Sequence, residues 1–190
     1  MKIAIDVVGV LLDNMVTFLK IYNDMFKTEY DKKDFSHWEF FKELNLTTEE
    51  FLKLFYKTFE YPEEIPFIDD EAPKYMRRLN QMHDLYILSA LDSNYKNSLK
   101  NQLEFNNIKQ NIHYKEMLIV PETPYDLKLK SEFDIYIDDN PNLVEPIKNL
   151  KSRYLLLFNQ PGNQNSICEQ NVIRVNNWKE IYEIIQNIIN

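Results

Sequence analysis

The stretch IAIDVVGVLLDN, residues 3–14, begins as an uninterrupted apolar run and breaks at a single carboxylate, Asp6. Two places further on, where a second carboxylate would make chemical sense, stands Val8. A run of this length and continuity suits a strand covered on both faces, and an aspartate at its carboxyl end lies where α/β sheets present ligands to solvent. Similar short apolar runs bounded by polar residues recur at 85–88, 117–120, 135–137, 154–158 and 172–175. Between them lie segments with helical spacing, 95–105 and 143–150. The last such segment repeats Trp178, Ile181, Ile185 and Ile188, with Asn177 as its N-cap. Strand and helix in alternation predict an α/β fold built on a mostly parallel, Rossmann-like sheet.

One interval breaks the alternation. Residues 14–70 contain no strand pattern but two amphipathic segments, 16–26 and 51–59, the second preceded by Thr47 and Glu50 at capping-box spacing. The proline-rich YPEEIPFIDDEAP, residues 61–73, reads as a return linker. The expected organisation is an α/β core formed by 1–13 and 71–190, with a small helical module, 14–70, inserted after the first strand.

Composition narrows the function. The chain has 190 residues, 44% of them hydrophobic and 27% charged, enough for one sizeable core and unlike a disordered segment. Its net charge of -8, with basic residues scattered, argues against binding a nucleic acid polymer. No apolar run is long enough to span a bilayer, and the N-terminal run lacks the marks of a signal peptide, so a cytoplasmic location without membrane attachment is expected. The lone Cys168 has no cysteine partner and reads as a packing residue. His37, His83 and His113 lack metal-binding spacing. Gly9 and Gly162 are the only glycines, which excludes Gly-rich phosphate loops.

The residues that follow each strand carry the chemistry. The first strand runs into Asp6, the second into Ser89, the third into a loop bearing Lys128 and Lys130, and the fourth into Asp138 and Asp139. Phosphoryl transfer to a carboxylate needs such a set. The nucleophile, Asp6, requires a divalent cation to offset anion–anion repulsion, and Asp138 or Asp139 suits Mg²⁺ as oxygen ligands. Ser89 would donate to a phosphoryl oxygen, and either lysine would neutralise the equatorial oxygens. Each residue also has a plain structural reading: Asp6 as a turn residue, Ser89 as a helix cap unless Asp92 or Ser93 supplies it, and Asp138 and Asp139 as a turn before a helix started by Pro141.

These motifs resemble the haloacid dehalogenase superfamily of phosphatases, whose first motif is Asp-x-Asp-Gly-Thr/Val. Here it reads DVVGV, residues 6–10, departing at Val8; Ser89 matches the second motif, Lys128 is the best-spaced third-motif lysine, and IDDNP, residues 137–141, matches the fourth. Within the superfamily the chain is similar to the 5′(3′)-deoxyribonucleotidase type, through DDNP, YLLLFNQPGNQN (residues 154–165) and VNNWKEIYEII (residues 175–185). The resemblance implies a Mg²⁺-dependent phosphomonoesterase acting on (deoxy)nucleoside monophosphates through an aspartyl phosphate on Asp6. It implies metal ligation by Asp6, the Val8 carbonyl, Asp138 and Asp139. Substrate contacts are implied at Ser89 and Ala90, and the insertion becomes a cap that sets aromatic residues against the base, with Trp38, Phe40 and Phe41 as counterparts. The partner is then a small phosphorylated substrate, and a homodimer stays open.

Val8 is the departure with a consequence. In the superfamily this position protonates the leaving alcohol and then activates water, and valine does neither. General acid–base assistance is worth about 10²–10⁴ in rate, so weak turnover is expected. The competing expectation is a catalytically silent protein that binds a phosphorylated ligand. Asp13 lies too far along the chain to share Asp6's loop.

Overall fold

The computed structural model describes residues 1–189. Six parallel strands form one sheet: β1 (Lys2–Ile5), β2 (Asp84–Ala90), β3 (Glu116–Val120), β4 (Ile135–Asp138), β5 (Tyr154–Phe158) and β6 (Val172–Val175), in spatial order β3-β2-β1-β4-β5-β6. The register sets Ile3 between Leu85 and Ile135, and Ile5 between Ile87 and Ile137. The β1, β4 and β5 runs are apolar without alternation because helices cover both faces of the sheet. α3 (Ala72–Asn80), α4 (Lys96–Phe105), α5 (Val144–Lys148) and α6 (Trp178–Ile189) follow or precede the strands as crossovers and flanking layers.

β1 ends earlier than its sequence pattern suggests. The Asp6 amide still reaches the Ile137 carbonyl at 2.9 Å, but the Val7 carbonyl then accepts the amides of Leu11 and Leu12, both at 2.9 Å, and the chain curls into a tight loop. Gly9, at φ +80°, allows that curl.

Between β1 and α3 lie α1 (Asn14–Phe26), α2 (Thr48–Lys57) and short 3₁₀ turns, with no named strand. Thr47 and Glu50 form the capping box expected of them: the Thr47 hydroxyl accepts from the Glu50 amide at 3.3 Å, and the Thr47 amide donates to the Glu50 carboxylate at 2.9 Å. This insertion has an apolar cluster of its own, with Phe18, Leu19, Tyr22, Phe35, Leu44 and Leu54 at its centre. Tyr56, Phe59 and Ile65 instead join the main core under the sheet. Among the described residues no helix is long and apolar enough to cross a membrane.

Trp178 ties α6 to the loop after β1. Its ring is fully buried, its indole N–H donates to the Val10 carbonyl at 3.3 Å, and its amide donates to the Asp69 carboxylate at 2.7 Å. Trp178→Ala removes a large buried ring and leaves the Val10 carbonyl without its donor. It is expected to cost about 3–5 kcal/mol of stability, measured as a lower urea midpoint at unchanged slope.

Candidate active site

β1 lies between β2 and β4, where the direction of strand crossing reverses, and such a switch point opens a crevice beyond the strand carboxyl ends. Asp6, Ser89, Lys128, Asp138 and Asp139 meet there, each between 2% and 8% exposed. The Asp6 carboxylate accepts from its own neighbour, the Val7 amide, at 2.8 Å and from the Ser89 hydroxyl at 2.7 Å on Oδ1. Its Oδ2 accepts from Lys128 Nζ at 2.5 Å, and Lys128 also donates to Asp138 Oδ2 at 2.6 Å. The other Asp138 oxygen accepts from the Asn140 amide at 3.0 Å.

Local structure frees these groups from the plainer duties they could have had. Asp92 rather than Ser89 caps the turn after β2, accepting from the Asn94 amide at 2.9 Å, so Ser89 points at Asp6. Asn140 caps the 3₁₀ turn begun by Pro141, accepting from the Asn142 amide at 2.9 Å. Lys130, two residues beyond the buried Lys128, is exposed.

The charges do not balance. One carboxylate oxygen from each of Asp6, Asp138 and Asp139 lies within 4.8 Å of the others, and among the described residues Lys128 is the one cation hydrogen-bonded to them. Burial alone would push the Lys128 ammonium down, but the Asp138 and Asp6 carboxylates hold it above the ordinary lysine range. Burial raises Asp138; Lys128 opposes the rise and Asp6 adds to it. Asp139 is pushed well above the usual carboxylate range, by burial first and then by Asp138 and Asp6. Among the described residues no group donates a hydrogen bond to the Asp139 carboxylate. It lies against Gly9 so closely that a Cβ there would sit 2.0 Å from Asp139 Oδ2. Gly9 is therefore required twice, by its backbone conformation and by the carboxylate beside it.

Not every residue marked in the sequence belongs to this set of hydrogen-bonded side chains. Val8 sits half-buried in the loop after Asp6, and Ala90 ends β2 beside Val120 of β3. Trp38 lines a groove of about 530 Å³ together with other residues of the insertion and with Tyr125 and Asn142 from the loops after β3 and β4. Phe41 turns inward, buried and stacked on Phe51 at 4.6 Å and 15°, and Phe40 packs edge-on against Phe18 at 5.7 Å. Both phenylalanines serve the packing of the insertion. Asp13 is held by Lys32 of the insertion at 2.5 Å.

The profile of the family described as 5′ nucleotidase, deoxy (pyrimidine), cytosolic type C protein matches residues 1–189. The chain belongs to this family. Nucleotidase CA_C3379 of Clostridium acetobutylicum is 23% identical over 192 residues, covering 99% of this chain and 95% of that protein. YqfW of Bacillus subtilis is 24% identical over 188 residues, covering 98% and 94%. Among solved structures, magnesium-bound YfnB of Bacillus subtilis superposes with a TM-score of 0.64 at 14% identity, over 97% of both chains. The haloacid dehalogenase-like protein ATU0790 of Agrobacterium tumefaciens gives 0.64 at 9% identity, over 100% of this chain and 99% of that one. These similarities establish a haloacid dehalogenase-like fold, and the family establishes a hydrolase of the nucleotidase or phosphatase kind.

Several parts of this nucleotidase's site escaped the sequence. Lys32 lies within electrostatic reach of Asp139 and opposes the rise in its pKa. Gln160 donates to the Gly9 carbonyl at 2.7 Å, and Asn163 donates to the Asp139 carbonyl at 2.8 Å. Family likeness marked the segment containing Gln160 and Asn163, but nothing in the residue pattern assigned it a task.

Proposed function

We propose that the chain is a Mg²⁺-dependent phosphomonoesterase of nucleoside monophosphates, working through Asp6, with turnover limited by Val8. One observation carries this reading. Three buried carboxylates share a small volume with one lysine, and one of them, Asp139, accepts no hydrogen bond on its carboxylate among the described residues. That excess negative charge suits a hard divalent cation with oxygen ligands. Asp6, Asp138 and Asp139, with the Val8 backbone carbonyl, would hold Mg²⁺. Bound there, the ion supplies the positive charge that lets an anionic nucleophile approach an anionic phosphate.

The chain's own groups account for the remaining steps. An Asp6 oxygen attacks phosphorus, the bond from phosphorus to the leaving alcohol breaks, and an aspartyl phosphate remains. Lys128, fixed between Asp6 and Asp138, neutralises charge on the phosphoryl oxygens, and the Ser89 hydroxyl turns from Asp6 to one of them. The departing alkoxide takes its proton from water because Val8 has none to give. Water then attacks phosphorus, the acyl phosphate bond breaks, and inorganic phosphate leaves with Asp6 restored. The helical insertion, 14–70, acts as a cap over this crevice, with Trp38 facing the leaving group.

The family description points to deoxy pyrimidine nucleotides as the first substrates to try. Phosphate release from a panel of nucleoside monophosphates, with p-nitrophenyl phosphate alongside, is expected to be slow, to stop with EDTA and to return with Mg²⁺. Fast turnover in EDTA would overturn the reading. Tight binding of nucleotide without any phosphate release would favour a silent binding protein.

A further inference from the structure

The loop after β5 has two faces, each touching a different part of the site. On one face, Gln160 Nε2 donates to the Gly9 carbonyl at 2.7 Å and Asn163 Nδ2 donates to the Asp139 carbonyl at 2.8 Å, so the loop braces both chain segments that carry the carboxylates. On the other face is Gly162. A Cβ built there would lie 3.2 Å from the His37 carbonyl oxygen and 3.2 Å from the Trp38 Cα, both backbone atoms of the cap. His37 and Trp38 line the groove of about 530 Å³ together with Glu39, Lys42, Tyr125 and Asn142.

The loop is itself rigidly held. Arg174 of β6 donates to Asn159 Oδ1 at 2.9 Å, to Asn163 Oδ1 at 2.8 Å, to the Asn163 carbonyl at 2.9 Å and to the Ser166 carbonyl at 3.0 Å. Asn163 also donates to the Phe158 carbonyl at 2.8 Å. A guanidinium committed to four acceptors in one loop leaves that loop little freedom to yield. Anything added at residue 162 must therefore lift the cap segment instead.

We propose that Gly162 is a specificity-determining seat: the absence of a side chain there lets the 37–38 backbone settle against the loop, and this contact sets the width of the groove that receives the leaving group. The proposal rests on the phosphatase reading for what occupies the groove, while the seat itself is a contact of the fold. Because the same loop braces Gly9 and Asp139 from behind, cap position and carboxylate position are referred to one rigid piece. The phosphoryl end of a ligand does not touch the seat; the nucleoside end depends on it.

The test compares thymidine 5′-monophosphate with inorganic phosphate, by calorimetry in Mg²⁺, on the intact chain and on Gly162→Ala and Gly162→Leu. Thymidine monophosphate binding is expected to weaken about a few-fold with alanine, whose Cβ asks the 37–38 backbone to give by a few tenths of an ångström, and by more than about tenfold with the longer leucine. Inorganic phosphate should bind all three proteins alike. Amide exchange should quicken at 36–43 and stay slow in the sheet, which separates a lifted cap from a damaged fold; the milder alanine variant keeps the comparison available if leucine disrupts folding. Equal losses for both ligands, or no loss of nucleotide affinity, overturn the seat. An unaltered chain that binds phosphate but not the nucleotide also overturns it, because the groove then takes no nucleoside. An unaltered chain that binds neither ligand removes the phosphatase reading, and the seat with it.

Discussion

Val8→Asp is expected to raise phosphate release from nucleoside monophosphates about 10²–10⁴-fold, the range that a positioned general acid and base contributes. The gain should appear in kcat with KM little changed, since the new carboxylate acts on the leaving oxygen and on water rather than on bound substrate. The nearby carboxylates are otherwise engaged. Asp13 is paired with Lys32 at 2.5 Å. Asp138 is engaged by Lys128 and by the Asn140 amide, and Asp139 belongs to the carboxylate cluster. Leaving-group chemistry provides an internal control. An aryl phosphate departs as a stable phenolate and needs little protonation, so p-nitrophenyl phosphate should gain much less than a nucleotide. Nearly equal gains for both substrates would mean that the aspartate acts on water alone. If the unaltered chain already turns over quickly and the change adds only a few-fold, another group moves the proton and the role assigned to Val8 is wrong.

The parallel sheet was legible because its strands are covered on both faces and therefore written as continuous apolar runs; Tyr154–Phe158 and Val172–Val175 begin and end where the pattern does. The end of β1 was less so, because Asp6 and Val7 leave the strand to build a loop whose hydrogen bonds run among its own residues. A strand pattern does not encode such a curl, although the glycine at position 9 hints at it. The convergence of Asp6, Ser89, Lys128 and Asp138 followed from topology, since residues at the ends of neighbouring parallel strands share one edge. The choice between Lys128 and Lys130 did not follow from their loop; the structure separates them by burying one and exposing the other. Phe41 shows the opposite limit. An aromatic in an inserted helical segment reads equally well as a ligand contact or as packing, and only its stack on Phe51 tells them apart. Gly162 and Asn163 were illegible for a different reason: their partners, Trp38 and Asp139, are far away in sequence, and no local periodicity records a contact of that kind.

The support of this site is unevenly distributed, and that has a physical logic. Its fixed parts are anchored from the core, with Trp178 under Val10 and Arg174 behind the loop after β5. Its charged parts are left in tension, with more buried carboxylate than cation. On the proposed reading, a site built this way is preorganised for a cation rather than stable without one.

Asp139→Asn should expose that tension directly, without any assay of turnover. Asparagine keeps the shape that fits against Gly9, removes one buried negative charge and places an amide that can donate to Asp6 or Asp138. In EDTA the variant is therefore expected to be more stable than the unaltered chain, by an amount on the order of 1–3 kcal/mol, the usual cost of leaving a buried polar group without partners. In a domain of this size that is a rise in melting temperature of roughly 2–4 °C for each kcal/mol. The advantage should depend on pH. Asp139 in the folded chain holds its proton to higher pH than in the unfolded chain, so its contribution to the stability of the metal-free protein is fully present below the ordinary carboxylate range and is lost as pH rises through the elevated pKa. The gap between the two proteins should accordingly widen as pH rises from the ordinary carboxylate range through that titration, stay constant above it and close on acidification. Saturating Mg²⁺ should reverse the ranking. A ligand at a hundred times its dissociation constant adds about 2.7 kcal/mol to the chain that binds it, and the variant, short of one anionic ligand, should gain little. Melting curves in EDTA and in Mg²⁺ across this pH range would thus cross for the two proteins. Parallel responses to Mg²⁺ would place the ion elsewhere, and a variant less stable than the unaltered chain in EDTA would show that the Asp139 charge is compensated by the fold.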